Sequence, residues 1–204
     1  MSKELYDLYL KNSLIPKRYQ KEIELVPSKT DKPVFYELRN IRENVKKFVN
    51  GGNNLLICSD SPGNGKTTWA TKILRAYIES VSDRAWPNNT PALFLNINSF
   101  LNEKRMAIDD PEVSAKVQKI EKALKTAKLV VFDDIADKRL TSFENNNLFY
   151  WIDYRTSNML SCIYTTNQLP KDLEIDLEGK LYSRIVKYSY IKEIKDGDHR
   201  KAEF

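Results

Sequence analysis

Eight consecutive residues, Asp60-Ser-Pro-Gly-Asn-Gly-Lys-Thr67, lie between a short apolar run and a helical pattern, which is the setting a phosphate-binding loop requires. Glycines at 63 and 65 let main-chain N–H groups turn inward around phosphate oxygens. The helix that follows points its positive end at the same anion. Lys66 is then placed to reach the β- and γ-phosphates, and the Thr67 hydroxyl to ligate Mg²⁺. The nucleotide-binding set expected from this stretch is Ser61, Pro62, Gly63, Asn64, Gly65, Lys66, Thr67 and Thr68, with ATP and Mg²⁺ as the ligands. One position departs from the motif: its first glycine is replaced by Asp60, which shapes the entry to the loop more than it touches phosphate.

Downstream, Val130-Val-Phe-Asp133-Asp134 is an apolar strand ending in two carboxylates. Such an ending alone is as readily the start of a loop. After a phosphate loop at this spacing, Asp133 is expected to hold the magnesium shell and Asp134 to orient or deprotonate an attacking water. Ile163-Tyr-Thr-Thr-Asn167 ends another apolar run in polar residues, and Asn167 is placed to help hold that water or the γ-phosphate, unless it only closes a turn.

The elements that must position these groups follow from periodicity. Leu55–Cys58, Ala92–Ile97, Leu129–Phe132 and Cys162–Thr165 read as buried strands, and Ile185–Ile191 as a fifth. Leu38, Ile41, Val45, Phe48 and Val49 predict one helix from about Tyr36 to Asn50, stopped by Gly51-Gly52. Trp69, Ile73, Leu74, Tyr77 and Ile78 mark the helix after the loop. Asp110-Pro111 opens a further helix, with Val113, Val117, Ile120 and Leu124 as its buried stripe. Thr141-Ser-Phe-Glu144 is a capping box. Strands alternating with helices predict an α/β fold, a parallel sheet between two helical layers. In the prologue, residues 1–36, Leu5, Leu8 and Tyr9 suit one face of a short helix.

The chain has 204 residues, room for one such domain, here 37–204 after the prologue. Its apolar runs are too short to span a bilayer, and no secretion signal is evident, so a cytoplasmic location with no membrane partner is expected. The two cysteines, Cys58 and Cys162, sit in apolar runs and read as buried thiols. The net charge of +5 leans mildly toward nucleic acid.

Together these segments resemble AAA+ ATPases, and more narrowly the bacterial and phage helicase-loader branch, the DnaC/DnaI-type proteins and their IstB-type transposition relatives. The resemblance is carried by Ser61–Thr68, the aspartate pair at 133–134, Thr165-Thr-Asn167, Leu181-Tyr-Ser-Arg184-Ile and Gly197-Asp-His-Arg200, and it spans roughly 14–204. It implies a three-layer P-loop NTPase fold of the ASCE/AAA+ kind with the C-terminal helical lid reduced or absent. It implies that Asn167 is the sensor 1 residue, that Arg184 is an arginine finger serving a neighbouring subunit's nucleotide, and that Arg200 is the sensor 2 arginine. Lys66, Asp134, Asn167, Arg184 and Arg200 form the implied catalytic set, and Thr67 and Asp133 the metal set. The implied activity is slow ATP hydrolysis that places a replicative DnaB-type helicase hexamer on single-stranded DNA, with self-association into a spiral or ring. A transposition helper ATPase, a P-loop kinase and an inhibitor of the host helicase or loader are the rival readings.

Two points stand apart from that branch. Full-length cellular loaders carry a separate N-terminal helicase-gripping domain, often with a zinc site, whereas the sole histidine here is His199. A helicase contact would then use the prologue, for example Leu5, Tyr6, Leu8 and Tyr9, unless that helix packs on its own core. Lys104, Arg105, Lys116, Lys119, Lys138 and Arg139, with Phe100 nearby, are the basic residues placed for single-stranded DNA; a solvated helix face explains them equally well.

Overall fold

The computed structural model describes residues 3–136 and 139–195. Five strands form one sheet: β1 (Asn54–Cys58), β2 (Ala92–Asn96), β3 (Leu129–Asp133), β4 (Ser161–Thr166) and β5 (Ser189–Glu193). Their order is β2-β3-β4-β1-β5, and every pairing is parallel. Each pair therefore needs a crossover, which the intervening helices provide. Strand β4 lies between β1 and β3, with Ile57 opposite Thr165 and Phe132 opposite Tyr164.

Alternation along the strands builds two cores. Leu55 and Ile57 face one side with Phe94, Val131 and Ile163. There they meet α1 (Lys3–Asn12), α2 (Lys32–Glu43), α3 (Val45–Asn50) and α4 (Lys66–Ser80). Leu56 and Cys58 face the other side with Leu95, Val130, Phe132 and Tyr164. That side is covered by α5 (Ile97–Met106), α6 (Pro111–Thr126), α7 (Ser142–Ser157), α8 (Pro170–Asp176) and α9 (Gly179–Tyr182). The result is the expected three-layer α/β sandwich. Cys58 and Cys162 are both buried and unbridged, and burial pushes the Cys58 thiol up to about 12.

The caps read from sequence are present. Asp110 Oδ1 accepts from the N–H groups of Glu112 (2.9 Å) and Val113 (3.2 Å) at the start of α6. The Thr141 hydroxyl accepts from Glu144 N, while the Glu144 carboxylate accepts from Thr141 N at 2.8 Å.

Three expectations are corrected. The single helix over 36–50 is two helices broken at Asn44, whose side chain donates to the Asn40 carbonyl (3.0 Å) and whose backbone leaves the helical region. The fifth strand begins at Ser189, and Ser183–Lys187 is instead a wide helical turn. Ile185 and Val186 are adjacent and both buried, which a strand with one covered face does not allow. Leu8 points outward from α1, whereas Tyr9 is fully buried and its hydroxyl donates to the Arg84 carbonyl at 2.6 Å. Leu5 and Tyr6 pack beside it, and the Ser13 carbonyl accepts from Phe94 N at 2.7 Å, so the prologue helix lies on the sheet's own core.

One buried charge is structural. Arg155 on α7 is wholly enclosed, and its guanidinium donates to the carbonyls of Leu124 (2.7 Å), Ala127 (2.9 Å) and Ser161 (2.8 Å). These bonds tie the end of α6, the approach to β3 and the first residue of β4 together. Among the described residues no helix is long and apolar enough to cross a membrane.

Candidate nucleotide site

The turn at 59–65 leaves β1 and feeds α4. Gly63 and Gly65 take positive φ values of 81° and 91°, conformations that cost an L side chain about 1 kcal/mol or more. The turn is cross-braced by its own side chains. Asn64 is fully buried and donates to the Ser61 carbonyl (3.1 Å) and the Ser59 hydroxyl. The Lys66 ammonium donates to the Ser61 carbonyl (2.8 Å) and Asn64 Oδ1 (2.9 Å). Pro62 is exposed at the tip, Ser61 is half-buried, and Thr68 is buried in the first turn of α4.

Asp133, at the end of β3, stands beside this turn. Its Oδ1 accepts from the Thr67 hydroxyl at 2.9 Å and from the Thr165 hydroxyl at 2.7 Å. Burial raises its pKa to about 6, the neighbouring Asp134 carboxylate adds to the rise, and the two hydroxyls and Lys66 oppose it. Asp134 has a positive φ of 58°, its N–H donates to Thr165 Oγ1 at 3.0 Å, and its carboxylate accepts from Asn96 Nδ2 at 3.3 Å. A non-glycine residue held there is strained backbone that the surrounding bonds must maintain. Ile135 N continues the bracing by donating to the Thr165 carbonyl at 2.9 Å.

A hydroxyl, a buried carboxylate and a cationic side chain at a helix N-terminus form a donor set suited to a nucleotide's phosphates with Mg²⁺. Magnesium prefers hard oxygen ligands and keeps one or two carboxylates plus phosphate oxygens rather than an all-protein cage. Thr67 and Asp133 fit that demand, and Lys66 at the base of the turn fits the phosphates. Among the described residues there is no group of three or more His, Cys, Asp or Glu side chains that would hold a metal by itself.

Beside the expected residues, three more enter the site. Thr165 joins Thr67 to the aspartate pair through β4, and Asn96 reaches Asp134 from β2. Tyr19 stands over the site from the prologue. Burial pushes its phenol up; Arg18 lowers it, the Asp133 and Asp134 carboxylates raise it, and the Thr67 side chain lowers it. Sequence held a signal only for Thr165, within the polar end of β4. Nothing local marks Tyr19 or Asn96.

The structure brings Lys66, Thr67, Asp133 and Asp134 together. Asn167 follows the last residue of β4, at the same end of the sheet. Arg184 is elsewhere: its Nε donates to Asp153 Oδ1 at 2.7 Å, and its guanidinium lies 5.4 Å from the centre of the Tyr188 ring. Arg200 and Lys138 lie outside the described residues. Of the basic residues considered for DNA, Lys104 pairs with Glu121 at 2.7 Å, Arg105 with Glu144 at 2.8 Å and Lys116 with Glu103, while Lys119 and Arg139 are exposed.

No family model matches the chain, and no curated protein matches it in sequence. Solved structures do. A DnaC helicase loader superposes with TM-score 0.69 at 23% identity, over 88% of this chain and all of that one. A DnaI structure gives 0.66 at 17% identity, over 92% of this chain and 95% of that one. DnaA from Aquifex aeolicus, bound to AMPPCP, gives 0.64 at 17% identity over 92% of this chain, which spans 53% of the DnaA chain. At these identities the likeness is one of fold: the chain has the α/β P-loop NTPase fold that these proteins share.

Proposed function

We propose that the chain is an AAA+ ATPase that acts in DNA replication as a helicase loader, binding ATP and Mg²⁺ at the turn of residues 61–68. The observation that carries the nucleotide reading is the bond from Thr67 on the phosphate turn to the buried Asp133 of β3, a junction of two segments 66 residues apart. The loader reading is supported by the shared fold of a DnaC helicase loader and of DnaI, matched over nearly their whole lengths.

In this reading the main-chain N–H groups of the turn and the N-terminus of α4 hold the phosphates. Lys66 leaves the Ser61 carbonyl to neutralise the β- and γ-phosphates. Magnesium, when bound, draws charge from the terminal phosphates and fixes them against the chain. Thr67 and Asp133 are the residues that would hold it. Asp134, fixed by Thr165 and Asn96, takes the proton of the attacking water. Asn167 at the end of β4 orients that water. Arg184, remote from its own chain's turn, serves the nucleotide of a neighbouring subunit, so hydrolysis is slow without assembly. The partners that follow are a replicative helicase ring, single-stranded DNA and further copies of this chain.

Lys66→Ala removes the only cation bonded within the turn among the described residues. Fluorescent ATP should then show no saturable binding, while the far-ultraviolet circular dichroism stays that of the parent. Size-exclusion chromatography of the parent with its host's replicative helicase, in ATP and in ADP, tests the loader half: a nucleotide-dependent complex is expected. Transfer of phosphate to a small acceptor, or a filament on duplex DNA, would point instead to a kinase or a transposition helper.

A further inference from the structure

The prologue crosses the phosphate turn as a strap. After α1 the chain is pinned by the buried Ile15, whose carbonyl accepts from Gln20 Nε2 at 2.8 Å. A short 3-10 turn, Lys17–Tyr19, then presents Tyr19 to Thr67 and the aspartate pair, with the Arg18 guanidinium 4.7 Å from the centre of the Tyr19 ring. The strap is next fastened to the flank of α4. Glu22 pairs with Lys72 (2.6 Å) and Arg75 (3.3 Å), and Arg75 also donates to the Lys21 carbonyl at 2.9 Å. Leu25 finally closes on the turn itself: a methyl group built on Gly65 would stand 3.1 Å from Leu25 Cδ2. The strap thus bears on the same two residues, Gly65 and Thr67, that flank the site lysine.

A threonine hydroxyl has one proton and two lone pairs. The Thr67 proton is committed to Asp133 Oδ1 at 2.9 Å. A metal ion at Thr67 needs a lone pair of that hydroxyl and space beside Asp133, at the start of the helix on which the strap, through Tyr19 and Leu25, bears. We infer that the Tyr19 strap competes with magnesium for the Thr67–Asp133 junction, so that metal-nucleotide binding must lift residues 17–25 off the start of α4. The strap is therefore a built-in gate on the metal, and its exposed inner face, when lifted, reports occupancy of the site. Glu22 and its two basic partners on α4 act as the latch. This rests on the nucleotide reading above, and the test separates the two.

Fluorescent ADP is titrated into the full chain in EDTA and across a magnesium series, for the parent, Tyr19→Phe and Glu22→Gln. Removing one hydrogen-bonding phenol should lower the magnesium concentration for half-maximal tightening about fivefold relative to the parent. Glu22→Gln should shift it in the same direction. Hydrogen exchange of residues 17–25 in the parent should run faster with ADP and magnesium than with ADP in EDTA, and Tyr19→Phe should reduce that difference. A magnesium midpoint equal to the parent's or higher in Tyr19→Phe overturns the gate, as does a strap protected equally in both arms. Weaker binding in EDTA and magnesium alike would make Tyr19 a wall of the site instead, and also overturns it. Absence of ADP binding to the parent in either arm would overturn the nucleotide reading itself.

Discussion

Asp133 Oδ1 accepts from two threonine hydroxyls, one on the helix after the turn and one on a neighbouring strand. Those bonds favour the ionised carboxylate, yet burial and Asp134 outweigh them and raise its pKa to about 6. The folded, metal-free chain therefore binds a proton at Asp133 that the unfolded chain has released between about pH 4 and pH 6. This residue costs nothing below that window, and its penalty grows as pH rises through it, reaching roughly 3 kcal/mol at neutral pH. Asp133→Asn should accordingly be more stable than the parent toward urea at pH 7.5, with a smaller advantage at pH 5, and should lose the magnesium-dependent tightening of ADP. An equal advantage at both pH values would refute the account.

Among the elements, the join of α6, β3 and β4 depends on a single enclosed guanidinium. Arg155 satisfies three carbonyls that no other described side chain serves and lies next to Cys162, to whose sulfur its Nε donates at 3.3 Å. Because β3 delivers Asp133 and β4 delivers Thr165, the site's geometry rests on this join. Arg155→Met keeps much of the volume but strands the carbonyls, at roughly 1 kcal/mol or more for each. A fall of about 3 kcal/mol in unfolding free energy is expected from urea titration. Arg155→Lys should not restore it, since one ammonium cannot span the fork. A loss under 1 kcal/mol would mean that water or backbone shifts replace the guanidinium.

At the scale of the whole molecule, the proposed finger and the phosphate turn are built on different elements, Arg184 on the helical turn before β5 and Lys66 on α4. Arg184 is held in a half-exposed pair with Asp153, and that carboxylate raises its pKa further. The bond to Asp153 uses Nε, and the Tyr188 side chain also bonds the guanidinium, so a partner's phosphate would compete with Tyr188 for the outer nitrogens. Hydrolysis should then depend on protein concentration. Arg184→Ala should bind fluorescent ATP as the parent does and lose turnover by at least the ~10³-fold typical of such fingers. Mixing it with Lys66→Ala should restore part of the rate, because each chain supplies what the other lacks. Turnover by Arg184→Ala at the parent's speed would end the trans-acting assignment.

Much of the site was readable in one dimension because its physics is local. Gly63, Gly65, Lys66 and Thr67 act through a turn and the helix it starts, and Asp133 and Asp134 through the end of one strand. Pro111 after Asp110 and the Thr141–Glu144 box announced their helices for the same reason. What the chain alone did not determine is non-local. The order β2-β3-β4-β1-β5 decides that Thr165 stands between the turn and Asp133, and no residue near 165 encodes that neighbour. Tyr19 belongs to a prologue broken by prolines, and only folding carries it across the 48 positions to Thr67. Ile185 and Val186 fit strand or helix equally until burial of both on one side makes them a turn. Composition and spacing sufficed for chemistry carried by a contiguous segment; the tertiary structure alone decided which distant side chains share a carboxylate oxygen, because that depends on sheet order and crossover packing.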